Sequence, residues 1–105
     1  MSDSPLTPAV FHILLALADG PLHGYAIMQH AEQSAGFTMG PGTIYGTIER
    51  LEATGLVKEL PTTRDDRRRV FALQPAGRAA LQVEAQRVSR LAALVRAKRL
   101  LPRES

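Results

Sequence analysis

The first apolar stretch of the chain lies at residues 9–18, where His12 is the one polar side chain. Thr7 can cap a helix at this point and Pro8 suits its first turn, so the pattern predicts a helix over residues 7–18. A surface helix shows one apolar stripe, whereas this helix is apolar nearly all round. That predicts burial on two sides, one against its own domain and the other against a partner subunit.

Two more helices are predicted before the hydrophobic period changes. The second covers about residues 22–34 and ends at Gly36, and the third opens near Pro41 and ends at Gly55. Glycine is the usual residue at a helix end because it adopts the left-handed backbone conformation without strain. The first half of the chain is therefore predicted to hold three helices.

The period of the pattern then becomes that of short strands. Residues 56–60 and 69–73 are β-like runs, and the polar, turn-rich segment 61–68 separates them. This arrangement predicts a β-hairpin with a basic tip.

A long helix is predicted over residues 76–101, at about 39 Å. Leu81, Val88 and Val95 recur every seven residues, so one stripe can pack on the first helix, on a partner, or on both. Three helices, a hairpin and a long helix give a mainly α fold of the winged helix-turn-helix type. We expect residues 5–74 to form the DNA-binding domain and residues 75–102 to form a C-terminal dimerisation helix.

Charge is divided unevenly along the chain. Residues 1–49 hold no lysine or arginine and four acids, and residues 50–105 hold all 13 basic residues and six acids, so the halves carry −4 and +7. Such asymmetry favours a polyanionic partner for the second half, with a solvated basic surface as the alternative. The chain has no cysteine, no apolar run long enough for a membrane span and no signal-peptide pattern, so we expect a cytoplasmic protein without a membrane partner.

The third helix has one face suited to a core and another suited to DNA. Its inward face is predicted at Ile44, Ile48 and Leu51, which repeat at helical spacing. The outward face is small and polar with one basic residue, as suits a helix in the major groove, although a solvated surface would also show such residues. The predicted DNA contacts from this helix are Thr43, Tyr45, Gly46, Thr47 and Arg50.

Basic residues cluster at the predicted hairpin tip. Arg64, Arg67 and Arg68 precede Arg69 within six positions, and arginine suits phosphates because its planar fork donates two hydrogen bonds. The predicted hairpin, residues 56–73, is the wing of the winged-helix fold. We expect the first three arginines to contact DNA phosphates from this wing, with a solvated charged loop as the alternative.

Catalytic and metal-binding chemistry find little support in the sequence. The histidines at 12, 23 and 30 are dispersed, and neither Ser34 nor Ser89 lies in a nucleophile motif. The segment 40–42 lacks the Gly-Lys pair of a phosphate-binding loop. We expect no enzyme activity, no metal and no cofactor.

Four short motifs in order resemble the PadR-like transcriptional regulators. They are His23-Gly24-Tyr25, Gly42-Thr43-Ile44-Tyr45, the run 50–57 that opens with Arg50-Leu51-Glu52, and the run 67–73 followed by Gly77-Arg78. The resemblance covers about residues 7–82. It implies a dimeric bacterial winged-helix repressor whose third helix enters the major groove and whose wing touches the flanking backbone. It also implies a dimer built from the first and last helices.

The sequence departs from the family in three ways. Gly46 stands where the family often has proline, Gln74 stands where it usually has a capping threonine, and the chain has no tryptophan. Some members bind planar aromatic drugs between two tryptophans, and this chain has no residues of that type for such a mode of ligand binding. The motif at 23–25 is interpreted as a helix start whose Tyr25 packs on the core.

Taken together, the residues and the resemblance predict a sequence-specific transcriptional repressor. It would bind a pseudo-palindromic double-stranded operator as a homodimer and be released by an apolar or aromatic effector held between the subunits. A fully packed interface without a ligand is the alternative to that pocket, and a winged-helix module that binds protein without DNA is the alternative function. The predicted dimer interface consists of Phe11, Leu15, Val88, Leu91 and Val95.

Overall fold

Three helices, a small sheet and a long last helix follow one another along the chain. The computed structural model describes residues 5–62 and 68–102. The mainly helical fold predicted from the sequence is confirmed. The helices are α1 (Pro8–Ala16), α2 (Gly24–Ala35), α3 (Pro41–Ala53) and α4 (Pro75–Ala97). None of the helices that the structure describes combines the length and apolar character required to cross a membrane.

The helix ends follow the capping residues in the sequence. The Thr7 hydroxyl accepts a hydrogen bond from the Val10 amide at 3.3 Å, as predicted for the start of α1. Gly36 closes α2 with φ of 80°, and Gly40 is the N-cap of α3. The α3 helix ends at Ala53, and Gly55 follows with φ of 81°, which confirms its predicted role as a stop.

The sheet has three strands rather than the two of the predicted hairpin. They are β1 (Leu22–His23), β2 (Val57–Leu60) and β3 (Val70–Leu73), antiparallel in the order β1-β3-β2. Leu22 pairs with Phe71, so the assignment of Leu22 and His23 to the second helix is wrong. These two residues are extended because they pair with β3, almost fifty positions later in the sequence.

The core lies where α1, α2 and α3 meet the sheet. Phe71 of β3 is fully buried, as are apolar side chains from each of the first three helices. The predicted inward face of α3 is confirmed, since all three of its residues are buried. Side chains of this core include Ile13, Leu14, Leu17, Ile27, Ile44, Ile48, Leu51, Val57 and Phe71.

The last helix is anchored at its first turns. Gly77 packs so closely on Leu56 that a Cβ atom at this position would collide with the Leu56 carbonyl oxygen. Arg78 Nη2 donates a hydrogen bond to the carbonyl oxygen of Ala18 at 2.9 Å, which joins α4 to the turn that follows α1. The buried residues of α4 are Gly77, Leu81 and Glu84, all in its first half. The helix ends at Ala97, four residues before the predicted boundary at residue 101.

Candidate nucleic-acid interface

The outward face of α3 carries polar and aromatic side chains beside a buried apolar face. Thr43, Tyr45 and Arg50 are exposed, and Gly46 is half-buried between them. A Cβ atom at Gly46 would meet only Arg50 Nη1, at 4.0 Å. Packing within the described chain therefore does not demand a glycine at this position.

Thr47 does not face outward, so its predicted place among the DNA contacts is wrong. The residue is 1% exposed, and its Oγ1 donates to the Thr43 carbonyl oxygen at 2.6 Å. Thr47 Oγ1 in turn accepts a hydrogen bond from Arg50 Nη2 at 3.1 Å. Thr47 lies at the edge of the apolar stripe, and a threonine can be buried there because its hydroxyl finds a partner one turn earlier in the helix.

Tyr45 crosses from α3 to the first residue of α2. A Cβ atom at Gly24 would lie 2.8 Å from the Tyr45 hydroxyl oxygen, so the tyrosine can occupy this position only against a glycine. Tyr25 is 61% exposed, and the interpretation that it packs on the core is wrong. Its neighbours Ile27 and Ala31 supply the buried face of α2, and the position of Tyr25 on the helix points it away from them. Both tyrosines border a cleft of about 150 Å³ that is also lined by Arg68.

The turn between α2 and α3 is held by one carboxylate. Glu32 Oε2 accepts hydrogen bonds from the Met39 amide at 2.8 Å and from the Gly40 amide at 3.1 Å. Gly40 is the N-cap of α3, so Glu32 sets where the helix begins relative to α2. Sequence reasoning missed this role, because the contact joins residues seven and eight positions apart across a turn and leaves no periodic pattern.

The base of the wing is tied to α3 by Arg69. Its Nη2 lies 2.8 Å from Glu59 Oε1 on β2 and 3.5 Å from Glu52 Oε1 on α3, and its guanidinium lies 5.1 Å from the centre of the Phe71 ring. The hydrogen bond from Arg69 lowers the pKa of the Glu59 carboxyl, and the same bond raises the pKa of Arg69. Arg69 therefore has a structural role at the base of the wing, where it joins β2 and β3 to α3.

Of the three arginines predicted to contact phosphates, the structure places Arg68. It is exposed at the foot of the wing, directly before Arg69. Arg64 and Arg67 lie outside the described residues.

The predicted dimer-interface residues fall into two groups. Leu15, Val88 and Leu91 are exposed apolar side chains, whereas Phe11 and Val95 are half-buried. Phe11 also packs against the core and stands edge-on to the His12 ring, with the ring centres 5.3 Å apart. The exposed group lies on α1 and on the second half of α4.

His12 has a structural role in the described chain. His12 Nδ1 forms a 2.6 Å hydrogen bond with Ser34 Oγ, which joins α1 to α2. Within residues 5–62 and 68–102, no three histidine or acidic side chains come close enough together to hold a metal ion.

Two relatives share most of the described chain. Transcriptional regulator Rv3488 of Mycobacterium tuberculosis is 42% identical over 82 residues, which are 77% of this chain and 76% of that protein. A 37.1 kDa protein in transposon TN4556 of Streptomyces fradiae is 51% identical over 83 residues, which are 79% of this chain. The chain spans only 24% of the length of that second relative.

A solved structure and a family model agree with these relatives. The crystal structure of Bacillus subtilis PadR in complex with operator DNA has a TM-score of 0.64 and 22% identity, over 75% of this chain and 46% of that chain. This likeness shows the winged-helix fold. The model of the transcriptional regulator PadR-like family matches residues 13–83. The chain belongs to the PadR-like family of transcriptional regulators.

Proposed function

We propose that this protein is a sequence-specific transcriptional regulator that binds a pseudo-palindromic DNA operator as a homodimer. The observation that carries the proposal is the exposed face of α3, which carries Thr43, Tyr45 and Arg50. Tyr45 also lines a cleft with Arg68 at the base of the wing. The major groove of B-DNA admits one α-helix, and a two-fold dimer would present two α3 helices about 34 Å apart. The Bacillus subtilis relative was solved in complex with operator DNA.

The proposal divides the chain into a DNA-binding domain and a C-terminal dimerisation helix. Residues 5–74 would hold the DNA surface, and residues 75–102 would join two copies. Gly46 supports the first assignment, because glycine inside a helix costs about 1 kcal/mol against alanine. Close approach of the α3 backbone to DNA accounts for that cost, since packing within the described chain does not.

Replacement of Arg50 and replacement of Arg68 by alanine are expected to change DNA binding in different ways. Arg50→Ala should lower operator affinity by about 1–3 kcal/mol and relax the sequence preference, because Arg50 is assigned to base edges. Arg68→Ala should weaken operator and random DNA alike and reduce the slope of log affinity against log salt by about one. Arg64 and Arg67 are assigned the same role as Arg68. Titrations of both DNAs at several salt concentrations measure the two effects.

Lys58→Ala is the nearby control for these titrations, because Lys58 is an exposed cation on β2, outside α3 and outside the arginine cluster. It should leave both affinities close to those of the wild type. If Arg50→Ala and Arg68→Ala also leave both affinities unchanged, α3 and the wing are not the DNA surface. The protein would then be better described as a winged-helix module that binds protein.

We also propose that the regulator is a repressor released by a small apolar or aromatic effector. The supporting observation is a cleft of about 240 Å³ lined by Leu15, Leu22 and His30 among others, beside the exposed apolar surface of α1. A ligand there would contact residues close to the proposed subunit interface.

The effector proposal predicts a ligand that both stabilises the protein and weakens operator binding. At a concentration 100 times its dissociation constant, such a ligand should raise the free energy of unfolding by about 2.7 kcal/mol. Thermal unfolding with a library of planar aromatic compounds, followed by operator titration with each compound that stabilises, tests both effects. Stabilisation without loss of operator affinity would contradict release, and the absence of any stabilising compound would count against the pocket.

A further inference from the structure

We infer that Thr47 is a positioning residue that presets Arg50 to read a guanine in each half-site of the operator. The inference rests on the proposed DNA binding and adds to it the identity of one base and the device that selects it. Its starting point is the pair of hydrogen bonds that meet at Thr47 Oγ1, on a side chain that DNA cannot reach because it is buried.

The direction of the two hydrogen bonds follows from their chemistry. A threonine hydroxyl has one hydrogen, and the Thr43 carbonyl oxygen at 2.6 Å can only accept it. Toward Arg50 the same oxygen must therefore accept, and a guanidinium can only donate. The chain of donation runs from Arg50 Nη2 through Thr47 Oγ1 to the backbone of Thr43, with each group used in the one way it allows.

Thr47 is a rigid anchor for a side chain that is otherwise flexible. A β-branched side chain in a helix has few χ1 rotamers, and this one is also enclosed by the core. Arginine has many rotamers and loses that freedom when it binds. Because the guanidinium is already held along the α3 axis, over the open position at Gly46, less ordering is left to occur on DNA.

The held arginine suits one base above the others. The bond to Thr47 uses a single N–H of the five that the guanidinium carries, which leaves adjacent donors in the plane of the group. In the major groove, guanine presents the acceptors O6 and N7 next to each other, whereas adenine presents an acceptor beside a donor. A fixed row of donors therefore fits guanine and opposes adenine.

The test measures base preference rather than affinity alone. The wild type first selects its operator from randomised duplexes, and each position is then changed to the other bases. Thr47→Val, which keeps the shape but removes the hydroxyl, should lower the preference for guanine at one symmetric position by about twofold to tenfold. Affinity for random DNA should stay within about twofold, and Thr47→Ser, which restores the hydroxyl, should restore the preference.

Thr54→Val provides a matched control at the C-cap of the same helix. Thr54 Oγ1 donates to the carbonyl oxygens of Arg50 and Leu51 at 3.0 and 3.3 Å, but within the described residues no guanidinium donates to it. The change is chemically identical to Thr47→Val and should leave base preference unaltered. Thermal unfolding shows whether each variant is folded, and Thr47→Ala replaces Thr47→Val if valine disturbs the core.

The double variant separates positioning from a general effect on the helix. In an Arg50→Ala background, removal of the Thr47 hydroxyl should no longer change base preference, because the group that it positions is gone. The inference is overturned if Thr47→Val weakens operator and random DNA equally, if it still alters preference without Arg50, or if the Arg50-dependent base is not guanine. If the wild type binds no DNA at all, the proposed function itself fails.

Discussion

Replacement of both Leu91 and Val95 by aspartate should give a monomer of 11.4 kDa, or insoluble protein, in place of a homodimer. Operator affinity should fall by about 10²- to 10⁴-fold, because two DNA-binding domains that were linked in one dimer must then bind the two half-sites independently. Light scattering measures the mass, and titration of the operator measures the second effect.

The substitutions should disrupt the dimer because they lie in the second half of α4. Beyond Glu84 this helix buries no residue in the described chain, yet it carries Val88 and Leu91 with large exposed fractions. Complete burial of an aliphatic side chain contributes about 1.5–3 kcal/mol, so several such residues can hold two helices together. Leu15 on α1 adds a further exposed leucine to the surface available for pairing.

Val83→Asp is the matched control for the dimer prediction. Val83 is 68% exposed and does not share the helix face of Leu81, Glu84 and Val88. The same change from an apolar residue to a carboxylate should therefore leave the dimer intact. A wild-type protein that is folded and monomeric in light scattering would contradict the prediction directly.

The substitution Gly77→Ala should destabilise the fold by about 3 kcal/mol, the upper part of the range for an overpacked position. The added carbon would collide with the Leu56 carbonyl oxygen, a backbone atom that also accepts a hydrogen bond from the Gln74 amide at 2.9 Å. Neither partner can move without separating α4 from the start of β2. Urea unfolding followed by circular dichroism measures the loss.

Gly24→Ala tests whether the loss of stability depends on the atom that the added carbon meets, a backbone oxygen at Gly77 or a side chain at Gly24. Here the added carbon would meet the end of the Tyr45 ring, which is on the surface and can rotate away. We expect a smaller loss of stability than at Gly77, accompanied by weaker DNA binding because Tyr45 is displaced. Equal urea midpoints for Gly77→Ala and the wild type, or a larger loss at Gly24, would show that the contact at Leu56 does not limit packing.

The parts of the fold that could be predicted are those set by local chemistry. Gly36 and Gly55 end helices because their backbone conformation is left-handed, and Pro41 opens α3 because its ring suits a first turn. The apolar spacing of Ile44 and Ile48 likewise placed the buried face of α3, and with it Arg50 on the exposed side.

Features that depend on distant partners could not be predicted in this way. β1 is two residues long, and its extended conformation exists only because β3 pairs with it. Thr47 lies between the two faces of α3, so its residue type and spacing suit either, and only the packing around it decides.

Glu32 limits how a signal could pass through this molecule. With Met39 and Gly40 both bonded to its carboxylate, the angle between α2 and α3 cannot change unless two charge-assisted bonds break. Internal bending is therefore an unfavourable way to switch operator binding off. A ligand at the proposed interface would act by rotating whole protomers, so that the paired α3 helices lose register with the repeat of the double helix.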